Sequence, residues 1–398
     1  MSSPKIMPLR GAIQHYDWGG FEYIPNLIGI KNADHKPFAE LWMGAHPSAP
    51  AILINNGATT PLDYLVKNAP QEILGDKVAD RFDNRLPYLF KVLDVRKMLS
   101  IQAHPTKKQA EKGFQRENEQ GIPLDAKHRN YKDDNHKPEV MVALTDFWLL
   151  HGFKSIQTIR QTLAKVPEFR DLQPIVAKDS LYDLYKHVME MPQNEANAML
   201  APLEQRLKIE QPSKDSPDYW AKQAFNDHPP KDGNYDRGIF SIYFFNLVQL
   251  KPGQGIFQGA GVPHAYLEGV NVELMANSDN VFRGGLTSKH VDVPELLKSL
   301  IFEQVVPKVI SGAEVSDTER VYPTPAPDFE LSKIDISQNK SHYTPKTDAP
   351  HIMIVIKGTV TVNDDQTFTR GDIFFAPANV SYELDTETNA TIFKATVP

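Results

Sequence analysis

His264, Glu273, Arg283 and Lys289 fall within residues 251–293, KPGQGIFQGAGVPHAYLEGVNVELMANSDNVFRGGLTSKHVDV, which otherwise reads as short strands broken by turns. Ionisable groups are costly inside a sheet unless paired or bound to metal, so this concentration marks a site. Upstream, Gln102 and His104 lie two apart in LSIQAHP. On an extended chain they share a face with Ser100, leaving Ile101 and Ala103 on the other, and Pro105 ends the strand. In HKPEVMVAL, Lys137 and Glu139 share a face opposite Val140, Val142 and Leu144, and Pro138 beside that apolar run carries the pair inward. Gln102, His104, Glu139 and His264 together offer two imidazoles, a carboxylate and an amide oxygen to one ion. Such a set suits Zn²⁺, and Mn²⁺, Fe²⁺ or Co²⁺ could occupy a similar site.

These side chains need strands to carry them. Residues 89–93 read as a buried strand interrupted near Asp94 and resumed over 98–104. Between 61 and 82 the apolar spacing predicts two short helices parting at Pro70. Residues 107–135 form a long charged stretch that reads as a lid or binding loop. Residues 155–235 carry helical spacing, with Ile156, Ile159 and Leu163 and then Leu181, Leu184 and Val188, and predict an insertion of about four helices. Met189, Met191 and Met199 read there as core filler. IFSIYFFNLVQL reads as a strand, and GQGIFQGAG as turns and a strand, since it lacks the GxGxxG spacing of a phosphate loop. Val293 and Pro294 start a helix. Glu40, Trp42 and His46 read as packing and turn residues. Beyond 305 the chain is again β-like, with turns at KG, NDD and RGD that echo the plan of 251–266. Asn379 and Ser381 fall where His264 stands in the first unit, so the second is expected to bind no metal.

At 398 residues the chain is too long for one core. Its 41% hydrophobic and 23% charged content is that of a folded globular protein, and a formal charge of -7 leaves no basic footprint for nucleic acid or an anionic membrane. With no cysteine, disulfides and thiolate chemistry are excluded and His and carboxylate remain as the strong metal ligands. The N-terminal MSSPKIMPLRGAIQHYDWGG has no apolar core of secretory length, and no run approaches a membrane span. A cytoplasmic monomer with a small-molecule partner is the expectation.

The strings FAELWMGAHP, LPYLFKVL, LSIQAHP, NYKDDNHKPE, PHAYLEG and MANSDNVFRGGLTSKHVDVPEL together resemble the type I mannose-6-phosphate isomerases, also called phosphomannose isomerases, over almost the whole chain in the same order. The resemblance implies a mainly β fold with a helical insertion: two cupin-like jelly-roll units plus an α-helical domain. It divides the chain into a catalytic unit of residues 1–154 and 236–304, a helical insertion of 155–235 and a metal-free cupin-like unit of 305–398. It implies one Zn²⁺ per chain on Gln102, His104, Glu139 and His264, and a sugar phosphate substrate interconverted between mannose 6-phosphate and fructose 6-phosphate through a cis-enediol. By the same resemblance Arg283 lies beside the enediolate or the phosphate, and Lys289, Ser100 and Lys91 form the phosphate end. Lys137 or Glu273 shuttles the proton, His136 opens the ring, and Tyr266 lies at a motif position. The chain departs from the family pattern in FRGGL, where VRAGL is common, and in TSK, where TPK is common. The competing readings are a redox-metal cupin dioxygenase, which would call for another His in place of Gln102, and a non-catalytic sugar-binding cupin, which would not need the Lys, Arg and Glu.

Overall fold

The computed structural model describes residues 5–55, 57–337 and 342–398, so the first four residues of the N-terminal stretch lie outside it. The hub is the strand His264–Ala276. It is longer than any single neighbour: its first half lies against Phe147–Phe153, and its second half lies between Tyr88–Val95 and Glu139–Ala143, all antiparallel. The changeover falls at Gly269, which has φ +128° and whose added Cβ would lie 2.6 Å from the Asp146 carbonyl. Only glycine accommodates both conditions. The sheet runs on through Glu40–Gly44 to Ala12–Gln14 and totals ten strands, with the short pieces Gln102–Ala103 and Phe282–Arg283 at one end of the hub.

A nine-stranded sheet joins the two ends of the chain. Met7–Arg10 pairs with Ile373–Ala376 on one side and Ile52–Asn55 on the other, so N-terminal strands continue a sheet built mostly from residues beyond 312. A four-stranded sheet, ordered His342–Tyr343, Leu384–Asp385, Thr359–Val362 and Gln366–Thr369, encloses a further core with it. Between 156 and 227 the chain is helical: Ile156–Leu163, the 3-10 helix Pro167–Leu172, Gln173–Val176, Leu181–Glu190, Gln193–Ile209 and Pro217–Asp227. Ser155, Ser180 and Ser216 cap three of them by accepting from a backbone N–H of the first turn. Their apolar faces, including Leu184, Leu203 and Trp220, pack on Trp148, Leu150 and Phe153 of the large sheet, with Met189, Met191 and Met199 buried among them. No helix of the described residues is long and apolar enough to cross a membrane.

Four local expectations are corrected. Residues 107–119 are a helix, Lys107–Glu119, opened by a capping box in which Thr106 accepts from Gln109 N and Gln109 reaches back to Thr106 N. The TKKQ signal was present, but a helix burying only Ala110, Gly113 and Glu117 has almost no apolar period to detect. The first half of the aromatic run is also a helix, Gly238–Phe244, and the strand begins at Phe245. All seven of its residues are buried, and a helix apolar on every side shows no stripe. Residues 62–81 form three helices, with Pro70 at the first position of the second and Gly75, at φ +78°, separating it from the third. The strand Tyr88–Val95 runs straight through Asp94, whose carboxylate accepts from the Tyr23 backbone N–H, whereas 98–104 is strand only at Gln102–Ala103.

Replacing Thr106 by Ala removes the hydroxyl that accepts from Gln109 N, and leaves the Gln109 side chain only the backbone N–H of residue 106. Equilibrium urea unfolding is expected to show a loss of about 1 kcal/mol, and an unchanged midpoint would remove the cap from this account.

Candidate metal centre

Glu139 opens its strand and is register-paired with Gln258 on one side and Met275 on the other. His264 opens the hub strand, paired with His151 and with Gln102. His104 follows Gln102–Ala103 directly. Antiparallel pairing therefore gathers residues 160 positions apart in sequence, and donor atoms of His104, Glu139 and His264 all lie within 4.8 Å of one another in a buried setting. His104 Nε2 is 3.3 Å from Glu139 Oε1, and His264 Nε2 is 3.4 Å from Glu139 Oε2.

The other ring nitrogens settle the tautomers. His104 Nδ1 faces the Asn280 carbonyl at 2.8 Å and His264 Nδ1 faces the Val262 carbonyl at 3.0 Å. A carbonyl only accepts, so each proton sits on Nδ1 and each Nε2 lone pair is turned toward the carboxylate. Burial lowers the His104 pKa to about 4 and keeps the ring neutral. Burial works to raise the Glu139 carboxyl, but the Lys137 ammonium at 3.0 Å and the two neighbouring imidazoles together outweigh it and hold the group well below the usual carboxylate range. Acceptors thus face acceptors, and His104 Nε2 has no hydrogen-bond partner among the described residues. A cation is the species that reconciles them, and two neutral imidazoles with a carboxylate are a donor set that fits Zn²⁺.

A second buried group lies alongside. Glu273 and Lys91 are register partners on adjacent strands, and so are Lys91 and Trp42. The Lys91 ammonium lies 3.1 Å from Glu273 Oε1, 3.6 Å from Glu40 Oε2 and 5.4 Å from the centre of the Trp42 ring, whose N–H donates to Glu40. The Tyr266 hydroxyl donates to Glu273 Oε2 at 2.8 Å. Burial opposes the charge on Lys91, but Glu40, Glu273 and Glu139 raise its pKa above the ordinary value. Burial raises Glu273, and the Glu139 charge adds to that, against the pull of Lys91. Three buried carboxylates, Glu40, Glu139 and Glu273, face two buried ammonium groups, Lys91 and Lys137, so one negative charge is left over.

The remaining expected site residues are placed as follows. Gln102 is half-buried and register-paired with both His264 and Arg283. Arg283 is also half-buried, and burial lowers its pKa. Lys289 is lowered first by partial burial and then by the Arg283 charge, with Glu40 acting in the opposite sense, so these groups share one region. Ser100 is half-buried two residues before Gln102. His136 makes its contact elsewhere, with Nε2 2.9 Å from Asp328 Oδ2. Glu40 and Trp42, expected as packing, are part of the charged group instead; the signal was an acid inside the otherwise apolar strand ELWMG. Asn280 was not singled out in the sequence. Its carbonyl orients His104, while its side chain accepts from Lys132 N at 2.7 Å and donates to the Asp133 and Asn135 carbonyls at 2.8 and 2.9 Å.

The loop between Arg283 and Lys289 is held just as firmly. Gly285, at φ +114°, passes so close to Gly238 that an added Cβ would meet its Cα at 2.5 Å. The Asp236 carboxylate accepts from Gly238 N, Leu286 N and Thr287 N at 2.7, 2.9 and 3.2 Å. That loop therefore depends on the residues that end the helical segment.

Residues 6–156 match the family described as phosphomannose isomerase type I, catalytic domain. The mannose-6-phosphate isomerase of Salmonella typhimurium is 36% identical over 91% of this chain and 91% of its own. The Homo sapiens enzyme of that name is 35% identical over 99% of both. Among solved structures, a zinc-bound mannose 6-phosphate isomerase superposes with a TM-score of 0.87 at 33% identity, covering 98% of this chain and 99% of the other. A Salmonella typhimurium structure bound to fructose 6-phosphate and zinc gives the same score, identity and coverage.

Exhaustive chelation is expected to lower the melting temperature, and added Zn²⁺ to restore it in the native chain but not in Glu139→Gln. A melting curve indifferent to both treatments would mean that the converging donors hold no ion.

Proposed function

The chain belongs to the type I phosphomannose isomerases, and we propose that its buried group of two imidazoles and three carboxylates is where the chemistry of that family takes place. The chain is a metal-dependent aldose-ketose isomerase that interconverts mannose 6-phosphate and fructose 6-phosphate. The observation that carries the siting is the convergence of His104, Glu139 and His264 donors with a surplus negative charge. In this reading Gln102 completes the ligand set. Neither a dioxygenase nor a sugar-binding cupin is favoured.

Held by His104, Glu139 and His264 with Gln102, zinc would supply a Lewis acid for the oxygens of the open-chain sugar. Glu273 is the proton carrier in this proposal: it takes the proton from C2, the C–H electron pair becomes the C1–C2 double bond as the C1=O π pair moves onto O1, and a cis-enediol results once the O2 proton is shared to O1. O2 then closes to the C2 carbonyl, the double-bond pair takes the Glu273 proton at C1, and O1 keeps the proton that O2 gave up. Its raised pKa brings it nearer the range useful for a general base. Lys91 and Tyr266 hold its two oxygens, so Lys91 is assigned here to Glu273 rather than to phosphate. Lys137 keeps Glu139 ionised. His136 is kept in this proposal as the ring-opening group, its Nε2 paired with Asp328 outside the His104–Glu139–His264 cluster. Arg283 stabilises the enediolate, and Lys289 with Ser100 receives the phosphate.

The same proposal takes the fold as two cupin-like jelly-roll units with a helical domain, divided as 1–154 with 236–304, 155–235, and 305–398. It takes the protein as a cytoplasmic monomer that binds no nucleic acid. The shared sheet formed by Met7–Arg10 and Ile373–Ala376 means that the two β units are built together rather than strung on a linker.

A coupled assay is expected to show turnover of mannose 6-phosphate, none of unphosphorylated mannose, and loss on chelation reversed by Zn²⁺. Arg283→Ala is expected to lower kcat on the order of 100-fold with zinc content unchanged; an equal loss of zinc would make Arg283 a structural residue. Glu273→Gln is expected to abolish solvent deuterium exchange at C2 of the sugar. Exchange at the native rate would pass the proton role to Lys137.

A further inference from the structure

The C-terminal sheet carries a second polar interior that the isomerisation chemistry does not use. The register of Glu319–Tyr322, Glu330–Ile336, Ala390–Thr396 and His351–Lys357 puts Glu319, Glu330, Lys394, Thr396 and His351 on one face. Farther along that face, Ile334, Ile392 and Val355 are packed in a closed apolar core. At the polar end a cavity of about 400 Å³ remains open, a volume suited to a small metabolite.

Most of its floor is internally satisfied. Lys394, only 5% exposed, lies 2.7 Å from Glu319 Oε1 and donates to the Tyr343 hydroxyl at 3.0 Å, which in turn donates to Glu319 Oε2 at 2.8 Å. His351 Nδ1 is 2.7 Å from the Tyr382 hydroxyl. Thr396 is the exception. It is 5% exposed and lines the cavity, and its hydroxyl has no hydrogen-bond partner among the described residues. A buried hydroxyl left unpaired is costly, and in a native chain such a group calls for an explanation. Its register partner Glu330 also lines the cavity. At the rim Lys77, Arg81 and Lys346 stand against Asp348, whose carboxylate lies 3.2 Å from Lys346 and 3.9 Å from Lys77. The rim side chains thus carry more positive than negative charge, and the floor offers a free hydroxyl beside a carboxyl group.

We propose that this cavity is a second small-molecule site, and that its ligand is a polyhydroxylated anion of the sugar phosphate class. The anionic group meets the cationic rim, and the ligand hydroxyls pair with Thr396 and Glu330. Such a ligand would bind across the helix Asp76–Arg81 and the C-terminal sheet, and so would report metabolite level to the part of the fold that shares its sheet with the N-terminal strands.

The test is amide hydrogen exchange on the full-length, zinc-loaded protein with sorbitol 6-phosphate, a hexitol phosphate that has no carbonyl to isomerise. Exchange is expected to slow in residues 76–81 and 390–397. Thr396→Val is expected to leave the melting temperature unchanged, since that hydroxyl bonds to nothing in the free protein, and to abolish the slowing. Arg81→Ala, an exposed change that spares the fold, is expected to raise the half-saturating concentration severalfold. Unphosphorylated sorbitol is expected to protect neither segment. Protection confined to the strands around Glu139 and His264, protection that survives both substitutions, or equal protection by sorbitol would each overturn the proposal. The isomerase assay is read separately, so a failure there leaves the exchange result standing.

Discussion

A surplus of one buried negative charge is the constraint on which the large sheet is organised. Glu40, Glu139 and Glu273 are out of water with only Lys91 and Lys137 to balance them, and two imidazole lone pairs point into the same space. An uncompensated charge in a low-dielectric interior is costly, so a divalent ion is the component that completes the arrangement. The two lysines do more than neutralise. Lys137 keeps Glu139 in its ionised form, while Lys91 occupies one oxygen of Glu273 and Tyr266 occupies the other.

Holding such a group in place demands rigid supports, and the hub strand provides them. His264–Ala276 touches every other strand that carries a donor or a buried carboxylate, directly or through Tyr88–Val95. Its register therefore sets the distances within the site. The loops are tied with equal care, since Asn280 ties segment 132–135 to His104 and Asp236 secures the turn between Arg283 and Lys289. Sites built on paired strands with anchored loops keep their geometry without depending on any one flexible connection.

Legibility in the sequence followed the range of the interaction. His264, His104 and Glu139 stood out because polar residues interrupt apolar alternation over a few positions. The helix Lys107–Glu119 was hidden because its buried side makes polar contacts, with Glu117 accepting from Tyr131 N and lying 3.6 Å from Arg129 Nε. Gly238–Phe244 was hidden for the opposite reason, being apolar on every side. Glu40 passed as packing because nothing within ten residues of it reveals that Lys91 lies across the sheet.

The amino-acid sequence alone determined the donor types, the strand periods that bring them to one face, a helical segment within 155–235 and the absence of thiol chemistry. Those are properties of residues and their near neighbours. Only the tertiary structure decided that Lys91 serves Glu273, that the His104 and His264 rings both turn Nε2 toward Glu139, that the first strand completes the last sheet, and that Thr396 has no partner among the described residues beside a cavity. Each of these depends on strand register between distant segments, which is fixed when the sheets close and pack and leaves no trace in local composition.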